Sequence, residues 1–249
     1  MQTVRVWNII LPMSIQERPP LTHQIRSQVA FNKVAGDRGS FKGGGWKTYE
    51  SDIGSYDDTF RLALGISIAS FVKDRKSPVV VDLMSPSFAL LSLFAKVSDK
   101  NKFGLVVSLR DERTRVRKMI DRGMNVRQLA GDIMSSATWR DIDEVMQGRK
   151  ADLIMERALG GLNNIPIHLS LYAILINKAW RILSHKEGTM LLQTPYDSDL
   201  LAAGIHIQDF VGNLRGKGID AEYFKSGVST SRSVLKLIKS AGSPEKLPF

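Results

Sequence analysis

The sequence predicts a doubly wound α/β domain, a seven-stranded and mainly parallel sheet completed by a C-terminal antiparallel hairpin. Three observations predict it. After Pro78, short β-branched runs alternate with amphipathic stretches of helical period, the pattern of strands joined by right-handed crossovers with helices on both faces. The last two apolar runs are separated only by Lys225–Ser233, too short for a crossover helix and therefore a hairpin at the sheet edge. A chain of 249 residues with 43% hydrophobic and 24% charged side chains is also long and apolar enough to bury one large core.

The elements follow in order. Residues 1–54 read as a basic N-terminal arm with weak periodicity, containing the Gly-rich segment Gly36–Trp46, a lid or a linker by composition. Residues 55–249 read as the α/β domain. Ser55, with Asp57 and Asp58 behind it, suggests a helix N-cap; Phe60, Leu64, Ile68 and Phe71 then recur at helical spacing, predicting one helix that ends at Lys73–Ser77. The strands are expected at Val79–Leu83, Leu105–Leu109, Val126–Leu129, Leu153–Met155, Met190–Gln193, Glu222–Phe224 and Val234–Ile238.

Charge and composition narrow the function. The net charge of +10 favours an anionic partner, RNA or another polyanion. It is uneven: residues 101–150 hold 11 basic and 7 acidic side chains, residues 151–200 only 4 and 5, so the basic surface is expected on the arm, one central helix and the C-terminal segment. In that helix Val116, Met119, Ile120 and Gly123 share an arc with Arg115, Lys118 and Arg122 nearly opposite. An amphipathic helix with a cationic outer face follows, either a solvated surface or one in contact with phosphates. Arg115, Lys118 and Arg122, with Lys42 and Lys47 of the arm, are the candidate nucleic-acid-binding residues. The absence of cysteine excludes disulfides, thiolate metal sites and a cysteine nucleophile. The longest apolar stretch, Leu171–Ile176, is far too short to span a bilayer, and no signal peptide is recognised, so an intracellular protein is expected.

Several motifs fail on context. Gly39–Thr48 follows no strand and interrupts a phosphate loop with Trp46. Gly65–Ala69 half resembles a nucleophile elbow but falls inside the expected helix, which makes Ser67 a packing residue. The four histidines form no i,i+4 pair, so no metal site is expected, and no G-x-G-x-x-G follows a strand.

What remains lies at the carboxyl ends of the strands, where open α/β sheets bind ligands. The first strand ends Val81-Asp82-Leu83 and continues Met84-Ser85-Pro86-Ser87; the second leads into Arg110-Asp111-Glu112; the third into Ala130-Gly131-Asp132-Ile133; the fourth into Glu156-Arg157. Each end carries an acid. Acids at successive tips suit a ligand rich in donors, such as a ribose diol or an amine, or else act as helix caps.

With these residues in place, the stretch 55–249 resembles the Rossmann-like class I S-adenosylmethionine-dependent methyltransferases. The order of the strand-end acids, the phrase Ala151-Asp-Leu-Ile, the segment Trp180–Gly188 turning into a fifth strand and the terminal hairpin carry the likeness. The resemblance implies that Asp82 orients the loop Met84–Ser87 around the methionine part of the cofactor. Asp111 or Glu112 would bind the ribose hydroxyls, and Gly131, Asp132 and Ile133 the adenine. Glu156 and Arg157 would face methyl donor and acceptor. Met84, Pro86 and Phe88 stand where the family has glycines.

Three functions are therefore expected. The first is a methyltransferase acting on RNA; the second a methyltransferase-fold protein without catalysis that serves as an RNA-binding or assembly component. The third is a small-molecule methyltransferase with Trp46 and Tyr49 on a closing lid. Without cysteine, the cysteine-dependent route to C5-methylated pyrimidines is closed in any of them.

Overall fold

The computed structural model describes residues 23, 25–27, 29, 53–85, 87–111, 113–156, 167–225 and 233–248. Lys42, Lys47, Trp46, Tyr49, Pro86, Glu112, Arg157 and the Gly-rich segment lie outside these residues, while the boundary drawn after residue 54 falls inside the helix Ile53–Leu64.

Seven strands form one sheet: β1 (Val79–Leu83), β2 (Phe103–Ser108), β3 (Val126–Ala130), β4 (Leu153–Glu156), β5 (Gly188–Gln193), β6 (Asp220–Phe224) and β7 (Val234–Lys239). Their order is β3-β2-β1-β4-β5-β7-β6. The first five are parallel, and β7 runs antiparallel between β5 and the edge strand β6. The helices are α1 (Ile53–Leu64), α2 (Ile68–Lys73), α3 (Phe88–Ala95), α4 (Arg115–Gly123), α5 (Ser136–Met146), α6 (Leu169–Ile182), α7 (Asp197–Ala202) and α8 (Ile207–Arg215).

The alternation of side chains along each strand divides the core in two. Val79, Val81 and Leu83 join a buried cluster with α5, α6 and α8, against which Ile25 and Val29 also pack. Val80, Val106, Leu153 and Leu191 face the other way into a cluster with α1, α2 and α3. Strands β1, β2, β4 and β5 are buried along their whole length, as central strands covered on both faces must be.

The N-terminal helix departs from the sequence expectation. It starts at Ile53, whose N–H donates to Ser92 Oγ of α3 at 2.9 Å, so a distant serine serves its N-terminus rather than Ser55. It also ends early, because Gly65 takes φ +75° and breaks the run. Ser67 is not inside a helix: its Oγ accepts from Ser70 N at 3.1 Å and caps α2, while Asp57 Oδ1 accepts from Ile68 N at 2.6 Å.

Candidate functional site

The strand register sets the carboxyl ends of β3, β2, β1 and β4 side by side: Leu83 pairs with Val107 and Glu156, and Ser108 with Ala130. The candidate residues Asp82, Met84, Ser85, Ser87, Asp111, Gly131, Asp132, Ile133 and Glu156 therefore share one edge of the sheet.

At the end of β1, Asp82 is fully buried and its Oδ2 accepts from the Tyr56 hydroxyl at 2.9 Å. The same hydroxyl lies 2.9 Å from Ser85 Oγ. Met84 holds the backbone at φ +67° with its side chain packed in the cluster of α5 and α6. A left-handed backbone is where a glycine would be free of cost, and a side chain there is tolerated only because burial offsets the strain. Ser85 N donates to Val107 O, which ties the loop to β2.

At the end of β2, Asp111 is held by two cations. Arg113 Nε and Nη2 donate to Asp111 Oδ1 and Oδ2 at 2.8 and 2.9 Å, and Lys118 Nζ lies 3.1 Å from Oδ2. The Arg113 hydrogen bonds hold this carboxyl well below the usual carboxylate range. Arg113 Nη1 also donates to Asp121 Oδ2 at 2.7 Å, and Ser87 Oγ donates to Asp121 Oδ1 at 3.1 Å. A single buried acid of α4 thus links the loops that follow β1 and β2.

At the end of β3, Gly131 has no room for a side chain, since a Cβ would sit 2.7 Å from Thr138 of α5. Asp132 Oδ1 accepts from Met134 N at 2.9 Å, and Trp139 Nε1 donates to Ile133 O at 2.6 Å. At the end of β4, Glu156 is fully buried. Burial first, then Glu156 and Asp199, pushes the Tyr172 hydroxyl above the usual tyrosine range.

Helix α4 overturns the expected orientation. Val116, Met119 and Ile120 expose 66, 65 and 47% of their surface, and the one buried residue of the helix is Asp121. At about 100° per residue, Asp121 lies opposite the apolar arc. Its bonds to Ser87 and Arg113 fix the roll of the helix: hydrogen bonds to a charged group contribute about 1.5–3 kcal/mol each, and the two together outweigh what an additional half-buried apolar side chain returns. Arg115 and Arg122 stay exposed beside the arc, whereas Lys118 is paired with Asp111.

Sequence reading missed Tyr56, Asp121 and Tyr172. Tyr56 precedes Phe60 by four residues and extends the apolar arc of α1, a polar-tipped residue in a core stripe. Asp121 is a lone acid in a cationic helix, which sequence alone reads as solvated.

No family model matches this chain, and no curated protein matches its sequence. Solved structures do match. A protein described as an rRNA-methylase from Clostridium thermocellum superposes with a TM-score of 0.50 at 11% identity, over 73% of this chain and 97% of that one. One described as an O-methyltransferase from Klebsiella pneumoniae gives 0.47 at 12% over 91% of each chain. An O-methyltransferase from Bacillus cereus in complex with SAH gives 0.49 at 9%, over 91% of this chain and 94% of that one. With the sheet order and the antiparallel β7, the fold is that of the class I methyltransferases.

That fold implies S-adenosylmethionine at these strand ends, and the described residues do not fit it at two corners. Met84 puts a Cβ and a buried side chain where the backbone would have to approach the ligand. At Asp111 the neutral hydroxyls of a ribose would have to displace a bidentate guanidinium. A hydroxyl donating to this carboxylate would also gain a charge-assisted bond, about 1.5–3 kcal/mol, but Arg113 already makes two to it with Lys118 beside them, so the existing set wins. The β3 corner, with Gly131, Asp132 and Ile133, carries no such obstacle.

Proposed function

We propose that this chain is an RNA-binding protein on a class I methyltransferase fold whose methyl-donor site has closed, serving as an assembly or structural component. One observation carries the reading: Met84, in the β1 loop where the methionine part of the cofactor would lie, holds φ +67° with a buried side chain packed into the apolar cluster of α5 and α6. The net charge of +10 and the exposed Arg115 and Arg122 support a polyanionic partner, and the neighbour described as an rRNA-methylase agrees with RNA. Fluorescence anisotropy with single-stranded RNA tests the binding. The reading expects micromolar affinity that falls with salt at a slope of about −0.7 per phosphate engaged; affinity independent of salt would contradict it.

A second reading, an active S-adenosylmethionine-dependent methyltransferase acting on RNA, is favoured by Asp82 and Glu156. These are two fully buried acids at adjacent strand ends, more charge than a structural plug requires. Incubation with RNA and labelled S-adenosylmethionine separates the two. Methyl incorporation that Asp132→Ala abolishes would establish the second reading and remove the first.

A further inference from the structure

Helices α5 and α6 bound a cleft of about 210 Å³ lined by Ser136, Trp139, Arg140, Asp143, Lys178, Arg181 and Ile182, next to the β3 end, where Trp139 Nε1 donates to Ile133 O. Its apolar walls, Trp139 and Ile182, are buried. Three cations converge on it from two helices, and a single carboxylate, Asp143, stands among them. Among the described residues none of the three forms an ion pair, with Asp143 or with any other acid. Lys178 is half-buried with its Nζ 5.8 Å from the centroid of the Trp139 ring.

This arrangement is unfavourable by itself. Lys178 and Arg181 sit one helical turn apart, where like charges repel. Burial first, then Arg181, pushes the Lys178 amine below the usual lysine range, with the charge of Asp132 only partly opposing them. An anion in the cleft removes both penalties. Arg and Lys donors around a small cleft match the tetrahedral oxygens of a phosphate, and the exposed Ser136 in the first turn of α5 adds a hydroxyl donor. The volume suits one phosphate with part of its ester rather than a whole cofactor.

We propose that the α5–α6 cleft binds a phosphate group through Arg140, Lys178 and Arg181, resting on the RNA-binding reading above for the source of that phosphate, a backbone phosphodiester. The same chemistry would accept a free phosphate, and the test separates the two sources. In the full chain, a labelled single-stranded RNA is titrated by anisotropy across a salt series against wild type, Lys178→Gln/Arg181→Gln and the fully surface-placed Arg140→Gln. Arg61→Gln on α1 is the charge-matched control. Thermal unfolding in inorganic phosphate against chloride at equal ionic strength is the second arm.

The expected result is RNA affinity about tenfold lower for the double variant, with a salt slope shallower by about 0.7 for each phosphate that the variant no longer neutralises, and the control unchanged. Equal RNA affinity and slope for wild type and all cleft variants, with no stabilisation by phosphate, overturns the cleft and leaves RNA binding standing. If wild type ignores RNA but phosphate stabilises it and not the double variant, the cleft stands with free phosphate as ligand and the RNA reading falls. A wild type that responds to neither overturns both.

Discussion

Around α4, Arg113 and Lys118 are matched by Asp111 and Asp121, whereas at the α5–α6 cleft Arg140, Lys178 and Arg181 have no acid within ion-pair reach among the described residues. The first region is the densest in basic residues along the chain; two of the three cleft cations come from the stretch 151–200, where acids outnumber bases. Charge density along a sequence and charge available to a ligand are thus different quantities. Arg113 and Lys118 are taken up by Asp111 and Asp121 and become structural, while Arg140, with acids beside it in sequence, and Lys178 and Arg181 are not.

The sharpest way to break this comparison is to remove the acid that makes α4 structural. Asp121→Ala takes one carboxylate partner from Ser87 and one from Arg113, leaving Arg113 on Asp111 alone, and should cost about 1.5–3 kcal/mol in urea unfolding. A loss below about 1 kcal/mol would mean that the Ser87–Asp121–Arg113 link does not hold α4. Next comes the left-handed residue of the β1 loop. Truncating buried Met84 removes about 2–5 kcal/mol of packing, but Met84→Gly relieves the backbone and Met84→Ala does not, so the glycine variant should be the more stable by about 1 kcal/mol. The opposite order would show that the φ of +67° carries no strain.

Acid sensitivity gives a subtler contrast. The folded Asp111 carboxyl is depressed by Arg113, so the unfolded chain takes up its proton first as pH falls. The stability this group contributes is complete above its ordinary value of 3.8 and is lost as pH drops further, through the lower folded value. Asp111→Asn should flatten the stability curve below that pH; an unchanged acid limb would deny the pairing. The smallest effect belongs to the outward arc of α4. Met119→Ser should change stability by less than about 0.5 kcal/mol, since the side chain is 65% exposed. A loss of about 2 kcal/mol or more would restore the inward-facing arc that the sequence suggests.

Much of the fold was legible because it depends on pattern. All seven strands lie where β-branched runs stand between turn signals, and the nine residues between the last two runs were enough to specify the antiparallel edge. Helix roll was not legible: on α4 a polar network outweighs the apolar moment, and periodicity weighs only the latter. The break at Gly65 went unseen because Phe60, Leu64, Ile68 and Phe71 keep helical spacing across it. At the strand ends the acids could be placed in order, but their partners could not. Tyr56 reaches Asp82 and Asp121 reaches Ser87 over 26 and 34 residues, and contacts of that span depend on packing rather than on local sequence. The cleft was invisible for the same reason, since Arg140 and Lys178 meet only through the packing of α5 on α6.

Whether the strand-end site still takes the methyl donor of its fold is tested most directly by calorimetric titration of S-adenosylmethionine into the full chain. A site closed by Met84 and the Asp111–Arg113 pair predicts no saturable heat up to about 1 mM, while one-to-one binding with a Kd of about 10 μM would contradict it.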